Sequence, residues 1–398
     1  MPFRIVHLTS VHHPFDTRIF HRECRALARA GYAVTLIAPS AKGDVVVDGI
    51  KLRSVPRPRN RRERLTRTMA AVCRAALDEN ADIYHFHDPE LIPVSVFLKL
   101  CGKRVIYDVH EDYASNVRGK QWIPKPLQPV APRVVRACEV VSTAILDRVV
   151  AATPMIAQNF NPGRTRLVQN FPQLGELCRS GSPPFGDRDP LVVYVGALSE
   201  ARGKREMIEA VHLVARQIPV KLVIAGRVFS GAREEDSLTG SKGLVEYAGV
   251  LDRRQVGDLL ARARAGLVVL HPTRGYVHAQ PTKLYEYMSA GLPLVASDFP
   301  TWRSTVESAG CGLLVDPLRP EAIADALLWL LRHSAEAAEM GQKGLRAVAE
   351  KYNWERESQQ LLATYAELQG RKMSHRTVPE APFFSAPRWT ADDDGLER

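Results

Sequence analysis

Residues 281–312, PTKLYEYMSAGLPLVASDFPTWRSTVESAGCG, carry a short helix and the strand that follows it. Pro281 suits the first turn of a helix, and Gly291 stands where a left-handed residue closes one. Leu284, Tyr287 and Met288 share a stripe at helical spacing and are expected in the core. Lys283 and Glu286, three apart, share a different side near the helix start. After Gly291, LPLVAS is an unbroken apolar run, expected as a strand buried in a parallel sheet. A cation and an acid beside the positive end of a helix, in a strand-helix-strand layout, form a place to hold a ribose and a phosphate. Taken alone, the same two residues also describe an ordinary surface ion pair, worth little energetically.

Outward from this stretch the same rhythm repeats. LVVYVGAL, VKLVIAGRV, GLVEYAGVL, AGLVVLHPT, PLVASD and CGLLVDP are apolar runs separated by amphipathic stretches such as Pro320–Arg332. Before them, Gln173–Pro190 (QLGELCRSGSPPFGDRDP) is rich in Gly, Pro and Ser, lacks periodicity and reads as a linker. The first half alternates likewise. RIVHLTS, YAVTLIAPS, DIYHFHD, KRVIYDVHE, DRVVAATP and TRLVQNF are strand-like, with a helix expected from about Thr17 to Ala30 and another in LIPVSVFLKLCG. The expectation is an α/β chain of two parallel-sheet domains: 1–172, a linker at 173–190, and 191–353. A helix at 354–369 would pack back toward the first domain, and a polar tail would follow from 370 to 398. Ligands of such a chain belong at the carboxyl ends of the strands, in a cleft between the two sheets.

The chain has 398 residues and a net charge of +10. No apolar run reaches the length of a membrane span, and MPFRIVHLTS lacks the layout of a signal peptide, so a cytoplasmic protein is expected. The six cysteines are scattered without a CxxC pair, which indicates neither a zinc site nor a disulfide framework. Eight basic residues fall between Lys51 and Arg67 against one acid, Glu63. Such a cluster suits an anionic membrane face, a polyphosphate or simply a solvated surface; without interleaved aromatics or a nucleic-acid motif, nucleic acid is excluded as a partner.

Candidate chemistry sits at strand ends. Gly196 closes LVVYVG, and Arg202 and Lys204 flank Gly203 ahead of a helix, a combination suited to clamping a diphosphate without a metal. In the loop after the first strand, VHHPFDTRIFHRE, Asp16 or Thr17 can cap the following helix, while His12, His13 and Arg18 are expected to face the cleft. His85 and His87 alternate on one strand face, and His87 is expected to be structural. His110, directly before Glu111 and Asp112, is the expected substrate contact. These histidines have no metal-ligand spacing, and no GxGxxG follows any strand, which disfavours a nicotinamide-dependent oxidoreductase.

Over roughly residues 3–368 the chain resembles the GT4 family of retaining glycosyltransferases with the two-Rossmann GT-B fold. The resemblance is carried by HHPFDTRIFHRECRALARAGYAVTLIA, HFHDPEL, VIYDVHEDY, VGALSEARG, YAGVL and PTKLYEYMSAGLPLVAS. It implies two domains facing across a cleft and a nucleotide-sugar donor, a UDP-sugar, bound mainly by the second. Glu286 would hold the ribose, Arg202 the donor diphosphate and Gly249, Val250 and Leu251 the base, with Gly196, Lys204, His278, Gln280, Thr282 and Lys283 completing the donor site. His110 would contact the transferred sugar, and His13, Asp16, Arg18, Glu111 and Asp112 would serve the acceptor, a lipid-linked glycan or a small molecule. Three positions depart from the family pattern. His278 stands where the first acid of E-x7-E belongs, Ala197 replaces an Arg, and HHPFD replaces a Gly-rich turn. Backbone amides of 278–281 would then take the place of the first acid.

The reaction so implied is metal-independent glycosyl transfer with retention, by a same-face route with His110, Arg202 and Lys283 as the catalytic groups. The leaving diphosphate takes the acceptor's proton, and cations stabilise the growing charge. Alternatives are a sugar-nucleotide epimerase or hydrolase on the same fold, and a non-catalytic scaffold.

Overall fold

In the computed structural model the described residues are 2–117, 123–179, 181–229 and 243–370. They fall into two compact units, Met1–Asn170 with Glu357–Arg398, and Phe171–Arg356. The tail expected from 370 lies, beyond Gly370, outside the described residues.

The first unit is built on β1 (Arg4–Leu8), β2 (Ala33–Pro39), β3 (Val45–Val47), β4 (Ile50–Val55), β5 (Ile83–Phe86), β6 (Arg104–Val109), β7 (Arg148–Ala151) and β8 (Thr165–Leu167). Their order is β3-β4-β2-β1-β5-β6-β7-β8, parallel except for β3 against β4. The β3–β4 hairpin is absent from the sequence reading, because its strands are short and VVVDGIKLRSV is interrupted by polar residues. One sheet face is apolar, with Val6, Tyr84, Phe86, Val105 and Tyr107 in a single core. The other carries His7, His85 and Asp108, all fully buried, beneath the helical stretch Ile19–Arg29 and the helix Trp354–Gln369.

The second unit holds β9 (Leu191–Val195), β10 (Lys221–Ala225), β11 (Val245–Tyr247), β12 (Ala265–Val268), β13 (Leu294–Ser297) and β14 (Gly312–Val315), ordered β11-β10-β9-β12-β13-β14. Every pairing in it is parallel. In both sheets the strand order reverses beside the first strand, at β1/β5 and β9/β12. In open parallel sheets ligands bind outside the carboxyl ends of the strands at such a point. Close backbone approach there requires glycine: a Cβ on Gly226, at φ +130°, would stand 2.3 Å from the Gly196 carbonyl oxygen.

The segment expected as a linker, 173–190, is instead packed on the second unit. Leu177 is buried in the same core as Tyr287 and Leu294. Arg179 pairs with Asp258 at 2.8 Å, and Arg188 donates to the Ala263 carbonyl. Gly and Pro there shape a surface strap whose polar groups find partners on the unit they cross.

Helix Ala131–Ile145 buries Glu139 against the sheet, where the Tyr107 hydroxyl donates to it at 3.3 Å. Burial, only partly offset by Arg136, pushes the Glu139 carboxyl up to about 7. Between the ordinary glutamate value and about pH 7 the folded protein therefore holds a proton that the unfolded chain has released, and stability falls as pH rises through that window. Glu139→Gln is expected to remove this slope and to exceed the native protein by about 2 kcal/mol at pH 8, with little difference at pH 4.5. Denaturant melts at the two pH values check this.

Candidate active site

Helix Thr282–Ser289 begins after Pro281, which takes the N-cap rather than the first helical position, and Gly291 follows its end at φ +64°. Leu284, Tyr287 and Met288 are buried as their spacing requires, but so are Lys283 and Glu286. The two do not form the surface pair. Lys283 Nζ lies 3.7 Å from the centre of the Tyr194 ring and has no hydrogen-bond partner among the described residues. A Cβ built on Gly196 would stand 3.4 Å from that nitrogen, so the amine sits against the turn that closes β9. Burial, and then the neighbouring Arg202 charge, push the lysine well below its ordinary value.

Glu286 accepts from Arg253 Nη1 at 2.7 Å, while Arg253 Nε donates to Glu176 at 2.7 Å. The partner of the expected ribose acid is thus an arginine 33 positions away, itself shared with the strap. Arg202 donates from Nη1 to the Ala197 carbonyl at 2.9 Å and from Nε to the Tyr276 hydroxyl at 3.2 Å. Lys204 is engaged by Glu200 at 2.7 Å. Gly203 is left-handed at φ +74°, and a Cβ there would meet the Val269 carbonyl oxygen at 2.3 Å, which brings the start of helix Lys204–Ala215 against the end of β12.

Gly249 accepts from the Gly226 N–H at 2.7 Å; Val250 is exposed, and Leu251 packs against the core. His278 is exposed at the end of helix Arg274–Val277. Gln280 approaches the Tyr285 hydroxyl at 3.5 Å, and Thr282 opens its helix. The backbone amides of 278–281 are not all available to replace an acid. The Ala279 N–H is bound to the Tyr276 carbonyl, and Pro281 has none. Trp302 Nε1 donates to the Ala279 carbonyl at 2.7 Å and fixes this loop.

In the first unit Arg18 does not face a cleft. It is buried, with Nη2 and Nε on the two oxygens of Asp108 at 2.8 and 2.9 Å and Nη1 on the Val168 carbonyl at 2.8 Å. An arginine at the start of a helix reads as surface in sequence, and its carboxylate lies 90 residues away. His110 Nε2 is 2.7 Å from Asp108 Oδ2, and His87 Nδ1 is 3.1 Å from the same oxygen. From His87 the network runs to His7 (2.9 Å), then to Tyr365 (3.3 Å) and His85 (2.8 Å). Burial would raise the Asp108 carboxyl, but Arg18 and His110 outweigh it and hold it well below the carboxylate range. Burial and then Asp108 push Glu23 well above it.

Nearer the surface, His12 stands 3.5 Å from Asp16 and 3.4 Å from Asp88. Burial lowers its pKa, but these carboxylates more than compensate and raise it to about 9, so the imidazole is cationic at neutral pH. Asp16 also accepts from the Arg18 and Ile19 N–H groups, the capping expected of it. Asp112 is held by Arg136 at 2.6 Å, whereas His13 and Glu111 are exposed. Among the described residues two sets can present ligand atoms to an ion, His7, Glu23, His85 and His87, and His87, Asp108 and His110. Asp108, with Arg18 on both oxygens, is already occupied by the hydrogen-bond network.

Comparisons with known proteins give the family and the fold. Residues 17–169 match the glycosyl transferase 4-like domain, and residues 179–346 match the glycosyl transferases group 1 family. Over 297 residues the chain is 25% identical to the phosphatidyl-myo-inositol mannosyltransferase of Mycobacterium leprae, spanning 74% of this chain and 75% of that one. In fold it is similar to sucrose-phosphate synthase from Thermosynechococcus elongatus, with a TM-score of 0.72 at 18% identity over 93% of this chain and 100% of the other. It is similar too to the Anabaena HepE protein crystallised with UDP-glucose, with a TM-score of 0.68 at 14% identity over 92% and 99%. The chain belongs to the GT4 glycosyltransferases with the GT-B fold, and its chemistry is glycosyl transfer.

Proposed function

We propose that the chain transfers a sugar from a UDP-sugar to an acceptor hydroxyl, with retention and without a metal, in glycoconjugate or natural-product glycoside biosynthesis. One observation carries this reading. A buried lysine amine without a hydrogen-bond partner among the described residues sits at the turn after β9, with Arg202 close enough to lower its pKa. Glu286 lies one helical turn further along the same helix. A diphosphate placed at that turn gives Lys283 the anion it lacks and a second cation in Arg202. Ribose hydroxyls can donate to Glu286, whose carboxylate Arg253 already holds in place.

Such a site stabilises charge growing on the leaving diphosphate with protein cations, so a divalent ion is not needed for that task. On a same-face route the C–O bond to the donor loosens, the acceptor oxygen bonds to the anomeric carbon, and its proton passes to the leaving phosphate oxygen. His110, oriented by Asp108, is proposed to contact the transferred sugar. His13, Asp16 and Glu111 are proposed to meet the acceptor, a lipid-linked glycan or a small molecule. Arg18 is a structural clamp instead, and Asp112 reaches the acceptor only if Arg136 releases it. The uridine assignment is supported by the UDP-glucose complex of the similarly folded HepE protein.

Titration calorimetry with UDP, GDP and ADP in EDTA tests the donor site. The expected result is UDP binding that survives chelation and weakens about tenfold or more in Glu286→Ala, the loss of a charge-assisted hydrogen-bond acceptor. Preference for another nucleotide would reassign the base, and failure of a folded protein to bind any of the three would overturn the reading. Donor breakdown without acceptor transfer would mark a hydrolase.

A further inference from the structure

The polar face of the first sheet gathers three imidazoles and a carboxylate in one place. His7 on β1 and His85 on β5 stand opposite each other in register, with ring centres 4.7 Å apart. His87, two residues beyond His85, lies on the same side, its ring 4.9 Å from that of His85 and 5.2 Å from that of His7. Glu23 meets them from the helical stretch Ile19–Cys24. All four residues are 0% exposed. Burying so many polar groups where apolar side chains would pack is costly unless each is matched.

The hydrogen-bond network matches the imidazoles and leaves the carboxylate out. Neither oxygen of Glu23 has a hydrogen-bond partner among the described residues. Arg18 Nε stands 3.1 Å from Oε1, but its N–H goes to Asp108. Oε2 lies 3.9 Å from His7 Nδ1 and 3.9 Å from His85 Nδ1, too far for a hydrogen bond. It is a spacing that ligands of a common ion can have, since two ligands each about 2 Å from a metal stand no more than about 4 Å apart. His7 Nδ1 and His87 Nε2, at 2.9 Å, meet the same limit. Four ligand atoms, one from each residue, all lie within 4.8 Å of one another. Behind His87, Asp108 lies 3.1 Å from Nδ1 and turns Nε2 toward the cluster as a lone-pair donor, as carboxylates do behind metal-bound histidines. The Tyr365 hydroxyl takes the corresponding place behind His7 Nε2 at 3.3 Å.

We propose that His7, Glu23, His85 and His87 hold a structural zinc ion inside the first unit. Three nitrogens and one carboxylate oxygen suit tetrahedral Zn²⁺, whereas Mg²⁺ and Ca²⁺ take oxygen ligands. Four protein ligands leave no position for a substrate, so the ion is structural rather than catalytic. The metal-independent transfer proposed above does not involve it. The ion ties β1 and β5 to the helical stretch Ile19–Cys24 and gives Glu23 the partner it lacks. The Tyr365 hydroxyl, 2.8 Å from His85 Nδ1, gives up that bond to the metal and keeps His7. The ligands are far apart in sequence, which is why their spacing carries no metal motif.

Elemental analysis of the full chain, produced in zinc-supplemented medium and dialysed against EDTA while folded, tests this. About one zinc per chain is expected to remain, because a closed, buried site does not exchange with a chelator as a surface ion does. Production in cobalt-supplemented medium is expected to give the intense visible bands of tetrahedral Co²⁺. Competition with a chromophoric chelator is expected to show zinc affinity lowered more than about 100-fold in Glu23→Gln, beyond the range for loss of a group that only orients a ligand. His110→Gln, outside the four, is expected to keep the ion. A native chain without stoichiometric zinc after dialysis, or with an octahedral cobalt spectrum, overturns the proposal whether or not the variants fold. Zinc retained by Glu23→Gln overturns it as well, and its loss in His110→Gln alone would assign the ion to His87, Asp108 and His110 instead. No nucleotide enters these measurements, so their outcome is separate from that of the donor titration.

Discussion

Lys283→Met lowers kcat/KM about 10²- to 10³-fold, the cost of removing one group that stabilises charge developing in the transition state. The folded protein itself gains stability from the same change. The amine is buried without a hydrogen bond among the described residues, and burial with Arg202 holds its pKa well below the ordinary lysine value. The unfolded chain therefore binds a proton that the folded chain binds more weakly, and this costs stability at every pH below the ordinary lysine value. Methionine keeps the length and apolar contacts and removes that cost. A higher melting temperature with a collapsed rate separates a functional cation from a structural one. A second readout comes from calorimetry in buffers of different ionisation enthalpy. A diphosphate brought to the amine raises its affinity for a proton, so nucleotide binding is expected to shift proton exchange toward uptake in the native protein relative to Lys283→Met. Unchanged kcat/KM in the variant would remove Lys283 from the catalytic set.

Asp108→Asn destabilises the first unit by about 3–5 kcal/mol, the range for a buried ion pair that loses one partner. Arg18 keeps its charge but loses a two-pronged carboxylate, and the Val168 carbonyl at 2.8 Å and Glu23, at 3.1 Å from Nε, remain beside it. Glu23 is itself pushed toward its neutral form by burial, although loss of the Asp108 charge lets it ionise in part. The double variant Arg18→Met/Asp108→Leu is expected to regain most of this loss, because it leaves no unpaired charge in the interior. His110 loses its orienting carboxylate in either case, so activity is not expected to return with stability. Denaturant melts of Asp108→Asn and the double variant, with initial rates, make the comparison. A double variant as unstable as the single one would show that the pair contributes more than it costs to bury.

The parts of the molecule legible in sequence are those set by local physics. Helix Pro320–Arg332 and the helix beginning at Trp354 stand where their periodicity puts them, and PLVASD, LVVYVG and DIYHFHD are strands because continuous apolar runs must be covered on both faces. Helix Ala131–Ile145 was not anticipated, since its valines face outward and its acid inward, against the usual sense of the pattern. The strap at 173–190 escaped for a related reason: Gly and Pro report the absence of regular structure, not of packing.

For the site, the sequence by itself determined which residues stand at strand ends and helix starts: Gly196, Arg202, Lys283, Glu286 and His110. That follows from spacings of a few residues, which backbone geometry converts directly into position. Only the tertiary structure decided their partners. Arg18 meets Asp108 across 90 residues, Glu286 meets Arg253 rather than Lys283, and the arginines near residue 60 meet Glu79, Asp78 and Glu90. Coulomb and hydrogen-bond energies depend on distance in space and on burial, and neither is a function of separation along the chain. The charge that counts at the site, an uncompensated amine on Lys283, is therefore a property of the folded enclosure around it.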